Sequence, residues 1–188
     1  MRIVGVSGGL TAPSPTRALV EFLVQQAVTH LPHATDLIDV AEIVPDLAFT
    51  VSRQDASPEL EAVFQNIEAA DLLIVGTPIS KGSYTGMLKH CLDLLTASKS
   101  DDHVAIIAAT DPGNCNSLVL EHSLRPLLSL LGYCTVPTAV YARDDDFIRS
   151  PGCGGGRDEQ GETRRWRGLQ GARPGSAVEY AGRKRGLV

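Results

Sequence analysis

Long apolar runs are missing from this sequence. No window of about 18 apolar residues occurs, so no segment reads as a membrane span and no membrane partner is expected. The opening MRIVGVSGG has no charged region followed by a long apolar stretch, so a secretory signal is not expected either. Cysteine is sparse. Cys91, Cys115, Cys134 and Cys153 form no CxxC pair, and their wide spacing fits buried or free thiols better than a zinc site. The reading is a reduced, cytoplasmic protein. An excess of positive charge is lacking too. Formal net charge is -5, whereas a nucleic-acid binder of this size is usually basic, so no nucleic-acid partner is expected. Several catalytic signatures are absent. There is no GxxxxGK[ST] phosphate loop, no GxGxxG fingerprint and no HExxH, and Ser7 lacks a GxSxG elbow.

What is present suits one domain. The chain has 188 residues, 43% of them apolar and 21% charged. A chain of this length buries roughly 70% of its unfolded surface without needing staples. Composition breaks sharply near Pro151. Residues 151–188 hold 8 Lys+Arg against 4 Asp+Glu, and 10 of the 18 glycines. That segment has no apolar period of 2 or 3.6, so it is read as a Gly/Arg-rich disordered tail behind a domain at 1–150.

The first 150 residues alternate strand and helix signals. RIVGVSG at 2–8 is a β-branched run closed by glycine. A helix follows over 14–30, with Ser14 as a good N-cap type. TDLIDV at 35–40 reads as a second strand, and Pro45 places a loop after it. Ser57, Pro58 and Glu59 fit the N-cap, first-turn proline and dipole preferences of the next helix. DLLIVGTP at 71–78 is the strongest strand, followed by a helix over 84–95. HVAIIAAT at 103–110 is a fourth strand. The helix over 116–131 contains Pro126, which should kink or loosen it. YCTVPTAVYA at 133–142 is a fifth strand, placed at a sheet edge by Pro137. This order implies an α/β fold, a flavodoxin-like doubly wound five-stranded parallel sheet of order 2-1-3-4-5.

Ligands in such sheets bind beyond the carboxyl ends of the strands. The loop after strand 1, SGGLTAPSPT from Ser7, carries glycines and hydroxyls and runs into a helix. Such a loop without lysine suits the monophosphate of a mononucleotide. An ordinary turn with a serine cap has the same signature. The loop after strand 3, from Thr77 to Gly86, offers Ile79 and Tyr84 as apolar surface for a flat ring; helix capping by Tyr84 is the plainer reading. The loop after strand 4, from Thr110, is small and polar, and a plain turn is equally consistent. The histidines are scattered, and Asp101-Asp102 and Asp144-Asp145-Asp146 read as solvated turns rather than metal sites.

SGGLTAPSPT, the stretch ADLLIVGTPISKGSYTGMLKHCLDLL from Ala70, and LVLEHSLRPLLSLL from Leu118 resemble the NAD(P)H-dependent FMN reductase family. They are most similar to the reductases of two-component alkanesulfonate and methanesulfonate monooxygenases. The resemblance covers about residues 1–148. It implies FMN and NADPH or NADH as cofactors. It also implies a flavin-dependent monooxygenase as partner and a homodimer or homotetramer. No side chain is implied as a catalytic acid or base. Ser7, Ser14 and Thr16 correspond to the phosphate loop. Pro78, Ile79, Ser80, Ser83 and Tyr84 correspond to the residues around the ring and ribityl chain, and Thr110 and Asp111 to the loop bordering the ring. Three positions depart from relatives. Pro15 stands where arginine is common, Ser80 where an aromatic is common, and Asp111-Pro112 where Gly-Gly is typical. Weaker FMN retention is the implied consequence. His122 falls where the sulfonate-system reductases widen a helix into a π-bulge at a subunit interface. A flavodoxin-type electron carrier, or a quinone or azo reductase on the same fold, is the alternative reading. Loss of the family's last helix is expected to leave one sheet face partly uncovered near strand 5.

Overall fold

The computed structural model describes residues 1–30, 34–98, 102–111, 117–143, 146–150 and 163–166. The strands β1 (Arg2–Ser7), β3 (Leu72–Pro78) and β4 (Val104–Asp111) are apolar nearly throughout. Such runs belong at the centre of a parallel sheet covered on both faces. The sheet order is β2-β1-β3-β4-β5, all parallel, with β2 at Ala34–Asp39 at one end and β5 at Cys134–Thr135 at the other. The flavodoxin-like order read from the sequence is the observed one.

Alternation along the strands builds two cores, because successive side chains leave a strand on opposite faces. Val4, Val6, Leu73, Val75, Ala105 and Ile107 point to one face. There they meet helices α3 (Pro58–Glu68) and α4 (Gly86–Asp93) through Leu60, Phe64, Leu88 and Leu92. Ile3, Leu72, Ile74 and Ile106 point the other way, onto Leu19, Val20 and Leu23 of α1 (Pro15–His30). The capping expected at Ser57 is present. Its side chain accepts from the Leu60 N–H, with Pro58 opening the helix.

Two elements differ from the sequence reading. Pro45 lies inside a helix, α2 (Val40–Leu47), not in a loop. Asp39 caps that helix at the Ala41 N–H, and Val40 and Leu47 are buried, which outweighs the one donor that proline removes. The fifth strand is divided into β5 (Cys134–Thr135) and β6 (Val140–Arg143), both paired with β4. Pro137 lies in the break, and the Arg125 guanidinium fastens it by donating to the carbonyls of Val136 (2.7 Å) and Pro137 (3.2 Å).

The helix ahead of that break is altered as well. Leu120–Leu124 is a π turn, in which the Arg125 N–H reaches back to the Leu120 carbonyl. Helix α5 (Arg125–Leu130) then starts with Pro126 in its first turn, where the missing donor costs least. Beyond β6, strand β7 (Phe147–Ser150) pairs antiparallel with β8 (Thr163–Trp166), which runs beside α1. β8 falls in the segment read as tail; the rest of 151–188 lies outside the described residues. Val136, Val140 and Ala142 are buried, so the α1 face near the edge strands is covered, contrary to the expectation of an exposed face. No described helix is long and apolar enough to cross a membrane.

Candidate functional site

The carboxyl ends of β1, β3 and β4 are tied to one another by hydrogen bonds. β1 ends at Ser7, which is fully buried and whose Oγ has no hydrogen-bond partner among the described residues. A buried hydroxyl is nearly always paired, so this one marks a place where a ligand would be bound. The next residue is fixed to β3, since the Gly8 N–H donates to the Gly76 carbonyl at 2.8 Å. Gly9 lies so close to the start of α1 that a Cβ on it would meet Ser14 Oγ at 2.3 Å. Ser14 caps α1, accepting from the Arg17 N–H at 3.1 Å. The first turn of α1 carries no acidic residue. Helix N–H groups, two serine hydroxyls and close-approaching glycines form a donor set that suits a phosphate monoester.

Thr16 is buried, and its Oγ1 lies 2.7 Å from Oγ1 of Thr110 at the end of β4. Two residues 94 positions apart, both expected at the site, thus share one hydrogen bond. One proton of that pair remains available for donation. Arg17 is turned elsewhere. Its guanidinium meets Glu42 at 2.5 Å and Asp39 at 3.0 Å, and these bonds, Glu42 first, push its pKa further up.

The loop after β3 is a tight hairpin. Ser80 and Ser83 exchange backbone hydrogen bonds around Lys81 and Gly82, whose φ values are 51° and 79°. Two consecutive positive φ angles make a type I′ turn, which glycine accommodates and lysine does not favour. Pro78 and Ile79 are half-buried at its base, and the Ile79 N–H donates to the Thr110 carbonyl at 2.9 Å. Ser80 at the tip is exposed. Tyr84 lines an open groove of about 430 Å³ between α4 and the segment of Ser123, Pro126, Leu127 and Leu130.

Thr85 and Tyr141 were missed by sequence reasoning. Thr85 caps α4 and donates to the Gly8 carbonyl at 2.8 Å, so it joins the first and third loops. A threonine just ahead of Gly86 is a local cap signal. The Tyr141 hydroxyl donates to Asp111 Oδ2 at 2.6 Å, and only the pairing of β6 with β4 reveals that contact. Residues 112–116 of the loop after β4 lie outside the described residues. His122 is exposed in the π turn. Among the described residues, no group of three His, Cys, Asp or Glu could hold a metal ion.

Known proteins resemble this chain over most of its length. The family described as NADPH-dependent FMN reductase matches residues 1–147. An NADH-dependent FMN reductase, SfnF, from Pseudomonas fluorescens is 42% identical over 147 residues, covering 78% of this chain and 79% of its own. An FMN reductase (NADPH) from Pseudomonas aeruginosa is 40% identical, covering 78% of each chain. Among solved structures, an oxidoreductase from Corynebacterium diphtheriae superposes with a TM-score of 0.71 at 28% identity, covering 100% of this chain and 96% of its own. The chain therefore belongs to the NADPH-dependent FMN reductase family.

Proposed function

We propose that this protein oxidises NADH or NADPH, reduces FMN and releases the reduced flavin to a flavin-dependent monooxygenase of the sulfonate type. The observation that carries this reading is the buried Ser7 hydroxyl, without a hydrogen-bond partner among the described residues, in a hydroxyl-lined loop at the start of α1. Bound FMN would supply a ring that takes a hydride from the nicotinamide; the protein supplies orientation, so no side-chain acid or base is required. Ser7, Ser14 and Thr16 would hold the phosphate. Pro78, Ile79, Ser80, Ser83 and Tyr84 would flank the ring and ribityl chain, and Thr110 and Asp111 would border the polar edge. Relatives named for NADH and for NADPH support either nicotinamide as donor. The protein would act as a homodimer or homotetramer, with His122 at the subunit contact; the exposed Leu130 and Leu118 on that helical segment support such a contact.

The test is steady-state oxidation of NADH and NADPH with no second protein present, comparing free FMN, a quinone and an azo dye as acceptors. FMN should give the highest kcat/KM. A higher value for the quinone or the dye would reassign the substrate. Turnover that requires an added protein partner would indicate an electron carrier.

A further inference from the structure

Asp39 ends β2 beside Ser7, which ends β1, because the two are register partners in that parallel strand pair. Adjacent strands lie about 4.8 Å apart. Both side chains leave the sheet on the α1 side, since Ile3 and Leu37, an even number of residues earlier in each strand, face α1. Asp39 is 6% exposed. Its Oδ1 accepts from the Ala41 N–H at 3.3 Å, and its Oδ2 accepts from Arg17 Nη1 at 3.0 Å. A carboxyl group that accepts at both oxygens, one of them from a guanidinium, is in its ionised form. The same Nη1 donates to Oε1 of the exposed Glu42 at 2.5 Å. Arg17 itself stands in the first turn of α1, where its backbone N–H donates to Ser14 Oγ. One cation thus serves two carboxylates, one strand away from the buried Ser7 hydroxyl.

A phosphate monoester carries about -1.5 to -2 charge at pH 7, so a buried carboxylate beside its site opposes binding unless a cation offsets it. We infer that Arg17 is the counter-ion of Asp39 and Glu42 and not a phosphate ligand, and that the balance of these three charges sets how strongly the Ser7 site prefers a phosphorylated flavin to uncharged riboflavin. The inference rests on the proposed FMN reductase function. The guanidinium is held away from the ligand by the two carboxylates it bonds, and its charge reaches the site through space. Glu42 leaves the group with one more anion than cations, so it weakens phosphate binding without touching the phosphate. Asp39 and Ser7 are fixed by the strand pairing, and Arg17 by its place in α1, so the charges keep their distances when a ligand enters. Arg17 and Glu42 act as specificity-determining residues for the phosphate group, in opposite directions.

The experiment measures dissociation constants for FMN and for riboflavin at low ionic strength, by quenching of flavin fluorescence. It uses the full-length parent, Arg17→Gln, Glu42→Gln and the double variant. Glu42→Gln should bind FMN about threefold more tightly, and Arg17→Gln about tenfold more weakly. Riboflavin, which has the same ring and no phosphate, should change less than about twofold in either. The double variant regains the formal charge of the parent cluster, so its ratio of the two constants should return to within about threefold of the parent. Added salt should shrink these differences. A double variant as weak toward FMN as Arg17→Gln would make Arg17 a phosphate ligand and overturn the inference. An unchanged ratio in Glu42→Gln, or equal shifts for both flavins, would overturn it too, while leaving the reductase reading intact. A parent that binds neither flavin would instead overturn the reductase reading. Circular dichroism identifies any variant that has lost its fold, and the exposed Glu42→Gln then tests the sign alone.

Discussion

Ser7 separates binding from stability at a single atom. Its hydroxyl is buried with no hydrogen-bond partner among the described residues, a cost to the ligand-free fold. Ser7→Ala should stabilise the apoprotein by about 1 kcal/mol and weaken FMN binding by about 1–2 kcal/mol. Thermal unfolding and FMN titration of the variant check the two signs together. Ser14→Ala should weaken FMN binding to a similar degree, but it should also destabilise the fold by about 1 kcal/mol, because Ser14 caps α1. Lys81 offers a change in the other direction. Its φ of 51° sits at the first central position of a type I′ turn, where asparagine is preferred. Lys81→Asn should raise stability by about 0.5 kcal/mol, seen as a higher melting temperature. Cys91 is buried, which pushes its thiol up to about 12, so a thiol reagent at neutral pH should modify the half-buried Cys134 before Cys91.

At the scale of elements, Arg53 fastens the segment ahead of α3 to the helices. It donates to Glu61 at 2.6 and 2.9 Å, to Glu68 at 2.7 and 3.1 Å, and to the Leu94 carbonyl at 2.9 Å. It also lies 4.8 Å over the Phe64 ring. Hydrogen bonds from Arg53, then Gln65, hold the Glu61 carboxyl down at about 2, against an ordinary 4.5. A carboxylate lowered on folding stabilises above its unfolded pKa and loses that contribution as pH falls toward its folded one. Parent stability should therefore fall between about pH 4.5 and 2, and Arg53→Met should flatten that part of the profile. Denaturant melts across that window measure it. The π turn gives a second test. Deleting His122 should restore regular helical pairing and change FMN release or oligomeric state while the fold survives. Sedimentation and turnover both equal to the parent would reduce His122 to a surface residue.

For the whole molecule, the sequence made the central sheet legible because β1, β3 and β4 are unbroken apolar runs closed by Gly or Pro. The hydroxyl-lined loop after β1 was legible as far as Ser7 and Ser14, since hydroxyls before a helix are local signals. What stayed hidden was tertiary. The Thr16–Thr110 bond, the Thr85 link to Gly8 and the Tyr141–Asp111 contact each span many residues. Helix α2 was hidden by Pro45, because the burial that overrides a proline is not a local property. The composition break at Pro151 carries a further consequence. Every residue assigned to the site precedes it, so a chain ending at Ser150 should bind FMN within about twofold of the full chain. The same truncation removes β8, the partner of β7, and should lower the melting temperature.

The most direct test is titration of purified apoprotein with FMN under anaerobic conditions, followed by one addition of NADH or NADPH. The expected result is saturable binding of one FMN per chain, lost or weakened in Ser7→Ala. Prompt loss of the flavin's visible absorbance on adding nicotinamide should follow, with no other protein present. FMN that neither binds nor bleaches, or that binds equally well to Ser7→Ala, would contradict a hydroxyl-lined flavin phosphate site at the start of α1.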